Sequence, residues 1–243
     1  MTTRVTIWHE FRHEKHYEEV RAIYPDGMHA ELARGLHENG LSDVRLAAQD
    51  DPEHGLTDEV LASTDVLTWW GHGHHADVDD AIVSKVYDRV HAGMGLVVLH
   101  SGHHSKIFRK LMGTSGNLKW RVARGTEQKE VLWVVKPGHP ILAGVDDHFV
   151  LPEEEMYGEH FDVPEPDELL LISSFTGGEV FRSGMTWQRG AGKVFYFRPG
   201  HETYPTYKNA TVRRVIANGV RWCAPVDGGK VAPGCPNPPM GWV

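Results

Sequence analysis

A chain of 243 residues, 40% hydrophobic and 24% charged, can bury the core of one large domain without disulfide staples. Its net charge of −8 argues against a nucleic-acid or anionic-membrane surface. No apolar run approaches the roughly 18 residues of a membrane span. The segment Met1–Trp8 enters a strand directly, without the apolar core and cleavage site of a signal peptide. Two cysteines, Cys223 and Cys235, suit a reducing compartment, so a cytoplasmic location is expected. The departure from ordinary composition is histidine, with 17 residues, seven of them between His72 and His104.

Val5–Trp8 reads as a strand that ends in the charged run His9-Glu10-Phe11-Arg12-His13-Glu14-Lys15-His16. Met28, Leu32 and Leu36 recur at helical spacing, which predicts a helix over Met28–Glu38 that stops at Asn39-Gly40. A strand over Val44–Ala48 and a short helix from Thr57 to Leu61 follow, with acids in the first turn. Asp65–Trp70 reads as a strand closing in Gly71-His72-Gly73-His74-His75. Val78–Ala92 is then a helix with Ile82, Val86 and Val90 on one stripe. Leu96-Val97-Val98-Leu99 is apolar on both faces, as a buried parallel strand must be, and it opens into His100-Ser101-Gly102-His103-His104. Ser105 is placed to cap a helix running to Met112. Alternating strands and helices imply right-handed crossovers and a parallel sheet.

Past Gly113 the pattern turns antiparallel. Strands are predicted over Val131–Val135, Leu169–Ser173, Glu179–Arg182, Met185–Gln188 and Lys193–Phe197, with Gly177-Gly178 and Gly190 at turns. Pro137-Gly138-His139-Pro140 is a turn that could hold a cis proline. Val212–Trp222 reads as a closing helix. Residues 1–224 form one α/β domain, and 225–243 an irregular Pro/Gly-rich tail. The eight tryptophans and this tail raise the expectation of a homo-oligomer.

Chemistry concentrates at strand ends, where open α/β sheets bind ligands. His72 and His75 follow one strand, His100 and His103 another, and His201 a third. Imidazoles brought together with a carboxylate suit a divalent metal. The alternative is that they hydrogen-bond backbone at a crowded edge or bind sugar hydroxyls. Glu153–Glu155 is either a solvated helix start or, with Tyr157, the acidic contribution to a site. His201-Glu202 places a base beside an orienting carboxylate, unless Glu202 merely caps a turn. Ser101 lacks the flanking glycines of a nucleophile elbow, so a serine hydrolase is not expected. His9, His13 and His16 read as surface or substrate-loop residues. His29, His37, His54, His91 and His148 are assigned to solvent, and Cys223 to the core.

Taken together, Trp69-Trp70-Gly71-His72 with His75, His100-Ser101-Gly102-His103 with Ser105-Lys106, Glu154-Glu155-Met156-Tyr157-Gly158-Glu159, Gly178–Gly184 and Phe195–Pro205 closely resemble the ThuA family of trehalose utilisation proteins, over about residues 4 to 225. The resemblance implies the class I glutamine amidotransferase-like, flavodoxin-like fold: a mostly parallel sheet with helices on both faces and an antiparallel extension. In true amidotransferases a cysteine nucleophile follows the central strand. Here His100 holds that place, so amidotransferase chemistry is not expected.

The resemblance further implies a sugar substrate of the 3-keto-glycoside class, such as 3-ketotrehalose, with a sugar 3-dehydrogenase as pathway partner and neither nucleic acid nor membrane involved. The residues suit that chemistry. A 3-oxo group acidifies the C2 proton, a divalent metal (zinc or manganese) would stabilise the charge left on its removal, and the C1 oxygen could then leave, with hydration or isomerisation to follow. The expected ligands are drawn from His72, His75, His100, Glu155 and His201. His103 or Glu202 would be base or acid, and Tyr157 and Lys106 would bind hydroxyls. The alternatives are a hydrolase using metal-activated water on an ordinary glycosidic or amide bond, and a non-catalytic sugar-binding protein.

Overall fold

The computed structural model describes residues 2–122 and 128–226. Its strands are β1 (Arg4–His9), β2 (Asp43–Ala48), β3 (Val66–Trp70), β4 (Gly95–Leu99), β5 (Lys119–Arg121), β6 (Glu130–Val134), β7 (His148–Leu151), β8 (Met156–Gly158), β9 (Glu168–Phe175), β10 (Val180–Arg189) and β11 (Gly192–Phe197). The helices are α1 (His13–His16), α2 (Glu18–Ile23), α3 (Met28–Glu38), α4 (Asp58–Ala62), α5 (Asp80–His91), α6 (Lys106–Met112) and α7 (Ala210–Cys223).

Among the described residues one nine-stranded sheet runs in the order β2-β1-β3-β4-β11-β10-β9-β6-β7. The first five strands are mutually parallel. The remaining four continue the sheet antiparallel. β4 lies between β3 and β11 with every residue buried. Its side chains alternate between two cores, as the pleat requires. Val97 and Leu99 join Leu32 and Leu36 of α3 and Val215 and Ile216 of α7. Leu96 and Val98 join Ile82 and Val86 of α5 and Ile107 and Phe108 of α6. Each such side chain contributes about 1.5–3 kcal/mol relative to exposure. A charge at Val97 or Val98 would have no wet face to turn toward.

The local signals act as expected at several ends. Ser105 Oγ accepts the Phe108 N–H at 3.2 Å and starts α6. Thr57 caps α4, and Gly40 takes a left-handed φ of 80° just past α3. Elsewhere the chain differs from the sequence reading. The predicted strands Glu179–Arg182 and Met185–Gln188 are one strand, β10, with its register shifted around Gly184. Strands β5, β7 and β8 were not predicted: β5 and β8 are three residues each, and β7 carries no clear alternation. Pro137 and Pro140 follow trans bonds; the cis peptide among the described residues joins Glu159 and His160. Cys223 is buried, as expected. Cys235 and residues 227–243 of the predicted tail lie outside the described residues. No described helix is long and apolar enough to cross a membrane.

Candidate metal centre at the carboxyl edge of the sheet

Four neighbouring parallel strands, β1, β3, β4 and β11, all end at the same edge, and each hands its chain to a polar loop there. β3 leads to His72, β4 to His100, and β11 through Arg198-Pro199-Gly200 to His201. Glu155 arrives on the connection entering β8. One ligand atom from each of His72, His100, Glu155 and His201 lies within 4.8 Å of the others. His72 is partly exposed, and the other three are buried. The backbone bends sharply to achieve this. His100 sits at φ 49°, a left-handed conformation that costs a non-glycine residue roughly 1–2 kcal/mol. Gly200 has φ 133°, and a Cβ there would fall 2.1 Å from the Tyr207 hydroxyl. Glycine is what lets the chain turn His201 inward.

Hydrogen bonds set which ring nitrogen faces the centre. His100 Nδ1 donates to the Arg198 carbonyl at 3.0 Å, so Nε2 carries the lone pair and turns it toward the centre. His72 Nδ1 donates to Glu202, 2.9–3.0 Å from both carboxylate oxygens, which turns Nε2 toward the centre. Burial acts downward on this ring, but Glu202 outweighs it and raises the pKa, so Nε2 would shed a proton on taking an ion. His201 is different. Its Nδ1 accepts the Thr203 N–H at 3.2 Å, so a neutral His201 carries its proton on Nε2. Glu155 Oε2 lies 3.2 Å from His100 Nε2 yet makes no hydrogen bond. Two buried acceptors therefore face one another, an arrangement that needs a cation or a proton between them. Tyr157 stacks on the His100 ring at 5.1 Å, with its hydroxyl 3.4 Å from Nε2.

Burial sets the charge states. Desolvation lowers His100 to about 3 and His201 to about 4, so both are neutral near pH 7. Desolvation also holds His103 well below the ordinary histidine value, with a lesser push from His104. His103 Nδ1 donates to the Gly116 carbonyl at 2.7 Å, which leaves Nε2 unprotonated. Glu155 is raised, chiefly because it is buried. For Glu202 burial acts upward, but the hydrogen bond from His72 and the neighbouring imidazoles outweigh it and hold the carboxyl far below the usual range. That makes Glu202 an orienting carboxylate for His72 and a poor proton carrier.

Of the five expected ligands, the structure brings four together and leaves out His75. The short turn His75–Asp77 carries its ring behind Gly71, edge-on to His104 at 6.3 Å. Lys106 is also misplaced by the sequence reading. It opens α6 and spends its ammonium on the Val78 carbonyl (2.7 Å) and Asp80 (2.8 Å), away from the four residues. His103 and Tyr157 line one cleft of about 180 Å3 with His72, Ser101, His104, Trp120 and Glu155. Glu154 and Glu155 are buried, which decides for the site over the solvated helix start; Glu153 alone of the three is exposed.

Several participants were missed. Glu10 lay in a charged run read as loop, but its buried carboxylate accepts the N–H groups of His72 (2.7 Å), His74 (3.0 Å) and Gly73 (3.3 Å). Glu154, one of the acids the sequence offered for the site, does the same for Gly200 (3.0 Å) and His201 (3.2 Å), and takes the Thr206 hydroxyl at 2.6 Å. Two carboxylates thus hold the two histidine loops by their backbones. Glu10→Gln turns an amide NH2 toward those donors. It should cost about 1–3 kcal/mol of stability by denaturant titration, as for an unsatisfied buried group.

His13, read as a surface or substrate-loop residue, stacks 5.2 Å from His72, with Nε2 3.6 Å from Glu202. His9 and His29, also expected near solvent, are buried. With Glu14 they form a second close group. However, the Phe11 N–H donates to His9 Nδ1 at 2.8 Å, which puts the His9 proton on Nε2 and disqualifies that nitrogen as a ligand.

The fold places this edge in known company. A ThuA-like protein from Parabacteroides merdae superposes with a TM-score of 0.68 at 16% identity, covering 97% of this chain and 94% of that one. A second, from Bacteroides uniformis, gives 0.62 at 17% identity and 91% of each chain. A beta-galactosidase from Rahnella sp. R3 matches at 0.55 and 14% identity, covering 88% of this chain but 31% of its own. At such identities the likeness is one of fold. No curated protein sequence matches the chain. The trehalose utilisation family, ThuA, matches residues 4–223, and the chain therefore belongs to the ThuA family.

Proposed function

We propose that this protein is a divalent-metal-dependent enzyme of sugar catabolism that acts on 3-keto-glycosides such as 3-ketotrehalose. The observation that carries the reading is the pair of facing acceptors, His100 Nε2 and Glu155 Oε2, with His72 Nε2 turned toward the centre beside them by Glu202. Membership of the trehalose utilisation family supports a sugar substrate. His72, His100 and Glu155 would hold the ion; two imidazoles and a carboxylate suit zinc or manganese. When bound, the ion supplies Lewis acidity toward the 3-oxo oxygen of the sugar, which acidifies the C2 proton.

The remaining work falls to the chain. His103 Nε2, kept neutral by burial and aimed by Gly116, takes the C2 proton. The electron pair left at C2 spreads into the C3 carbonyl, then returns to form the C1–C2 double bond as the C1–O bond breaks. The His103 imidazolium formed in the first step gives its proton to the departing oxygen, while the Nε2–H of neutral His201 donates a hydrogen bond to that oxygen. Water adding across the double bond completes net hydrolysis. The Tyr157 hydroxyl and Ser101 lie along the same cleft, where they bind hydroxyls. A sugar 3-dehydrogenase would supply the substrate.

Elemental analysis of the purified protein, followed by turnover in heavy water, tests the reading. The expected results are one divalent ion per chain and deuterium at C2 of recovered 3-keto-glycoside. Turnover with C2 unlabelled would point instead to direct attack by metal-activated water. His201→Ala should keep the ion and lower kcat by about 10²–10³, the range for loss of one donor to a developing oxyanion. Loss of the ion in that variant would make His201 a ligand.

A further inference from the structure

We infer that Trp120 is the platform for a second sugar ring, the one carried by the leaving oxygen, so that the cleft selects glycosides with a ring on each side of the scissile bond. This rests on the 3-keto-glycoside reading for the reacting ring. Trp120 is 64% exposed, an unusual state for so large an apolar surface. It stands in the middle of β5, a strand of three exposed residues, and pairs in register with Tyr157 of β8. Opposed residues of an antiparallel pair share a face, so Trp120 rises on the side of the ribbon that carries Tyr157. Tyr157 is buried at the floor, stacked on His100. Trp120 lines the same cleft at its open end, with His103 and His104.

A second observation points to the same ligand. His104 Nε2 is buried without a hydrogen-bond partner, although its ring lines this cleft. An apolar indole face beside an unsatisfied ring nitrogen is the complement of a pyranose. The C–H face of such a sugar is apolar, and its hydroxyls radiate from the rim. An exposed indole with no packing role also leaves the fold indifferent to its removal. Trp120→Ala should therefore melt like the wild type.

The test uses the wild type, Trp120→Ala and Trp120→Phe, with unoxidised trehalose and glucose as binding probes followed by saturation-transfer NMR and calorimetry. Steady-state kinetics on 3-ketotrehalose complete it. The expected result is about a tenfold weaker Kd for trehalose in Trp120→Ala, partial recovery in Trp120→Phe, and no change for glucose. KM for 3-ketotrehalose should rise by a similar factor, with kcat nearly constant. Equal weakening of trehalose and glucose would place Trp120 under the reacting ring and overturn the inference. Unchanged trehalose binding would overturn it too. Failure of any variant, wild type included, to turn over 3-ketotrehalose would remove the proposed reaction. Trp120-dependent trehalose binding would still stand.

Discussion

His100→Ala should emerge from purification without its divalent ion and should not turn over a 3-keto-glycoside. His100 is the most constrained of the proposed ligands. Its backbone is left-handed, its Nδ1 is fixed by the Arg198 carbonyl, its ring is stacked against Tyr157, and its Nε2 faces an unpartnered carboxylate oxygen. Losing a hydrogen bond that merely supports a ligand costs metal affinity about 10–100-fold. Losing the ligand itself should exceed that range and leave the site empty after dialysis. The matched control is His75→Ala, which removes a nearby imidazole that the structure keeps out of the cluster. It should retain both ion and rate. Elemental analysis and initial rates on the two variants decide the matter: stoichiometric ion with near-normal turnover in His100→Ala would sink the assignment.

The second large effect is on stability. Arg198 and Glu130 form an ion pair with both side chains fully buried. Ser173 adds its hydroxyl to Glu130, and Arg198 reaches the Glu155 carbonyl with its other nitrogen. Burial raises Glu130 to about 7 even with Arg198 beside it. Arg198→Met removes the counter-charge and leaves a carboxyl that must stay buried and take up a proton. Breaking such a pair from one side costs about 3–5 kcal/mol. Denaturant unfolding should show a loss of that size for Arg198→Met. The double variant Arg198→Met/Glu130→Gln should recover part of it, because no buried charge is stranded. A loss under about 1 kcal/mol, the scale of a solvated pair, would mean that water reaches it. Arg198 also ties the loop of Glu155 to the strand that leads to His201, so the single variant should weaken metal binding as well.

The parallel half of the fold was readable because its strands are short continuous apolar runs and its helices keep their stripe, as with Ile82, Val86 and Val90. His72, His100 and His201 were readable for a related reason: each follows such a run, and strand ends of a parallel sheet share one edge. Their supports were not. Glu10 and His13 sit in a run of alternating charges that is indistinguishable, in sequence, from a solvated loop. Only the folded chain shows the backbone amide of His72 turned onto the Glu10 carboxylate. His72 and His75 look equivalent on paper, and the short turn that carries His75 away from the cluster has no hydrophobic pattern to announce it. Strand β5 has three exposed residues, so it too lacks an apolar signature.

The sheet order has a consequence for when the proposed ion could be taken up. His72, His100 and Glu155 reach the edge from separate connections, and the groups that orient two of them, the Arg198 carbonyl for His100 and Glu202 for His72, follow β11, which slots between β4 and β10 only after most of the chain has been made. No fragment that stops short of β11 holds these residues in their oriented form. Uptake of the proposed ion would thus be a late event, reporting that the last central strand is in place. Free ion at about 100 times its Kd would add about 2.7 kcal/mol to the finished fold and nothing to a nascent one.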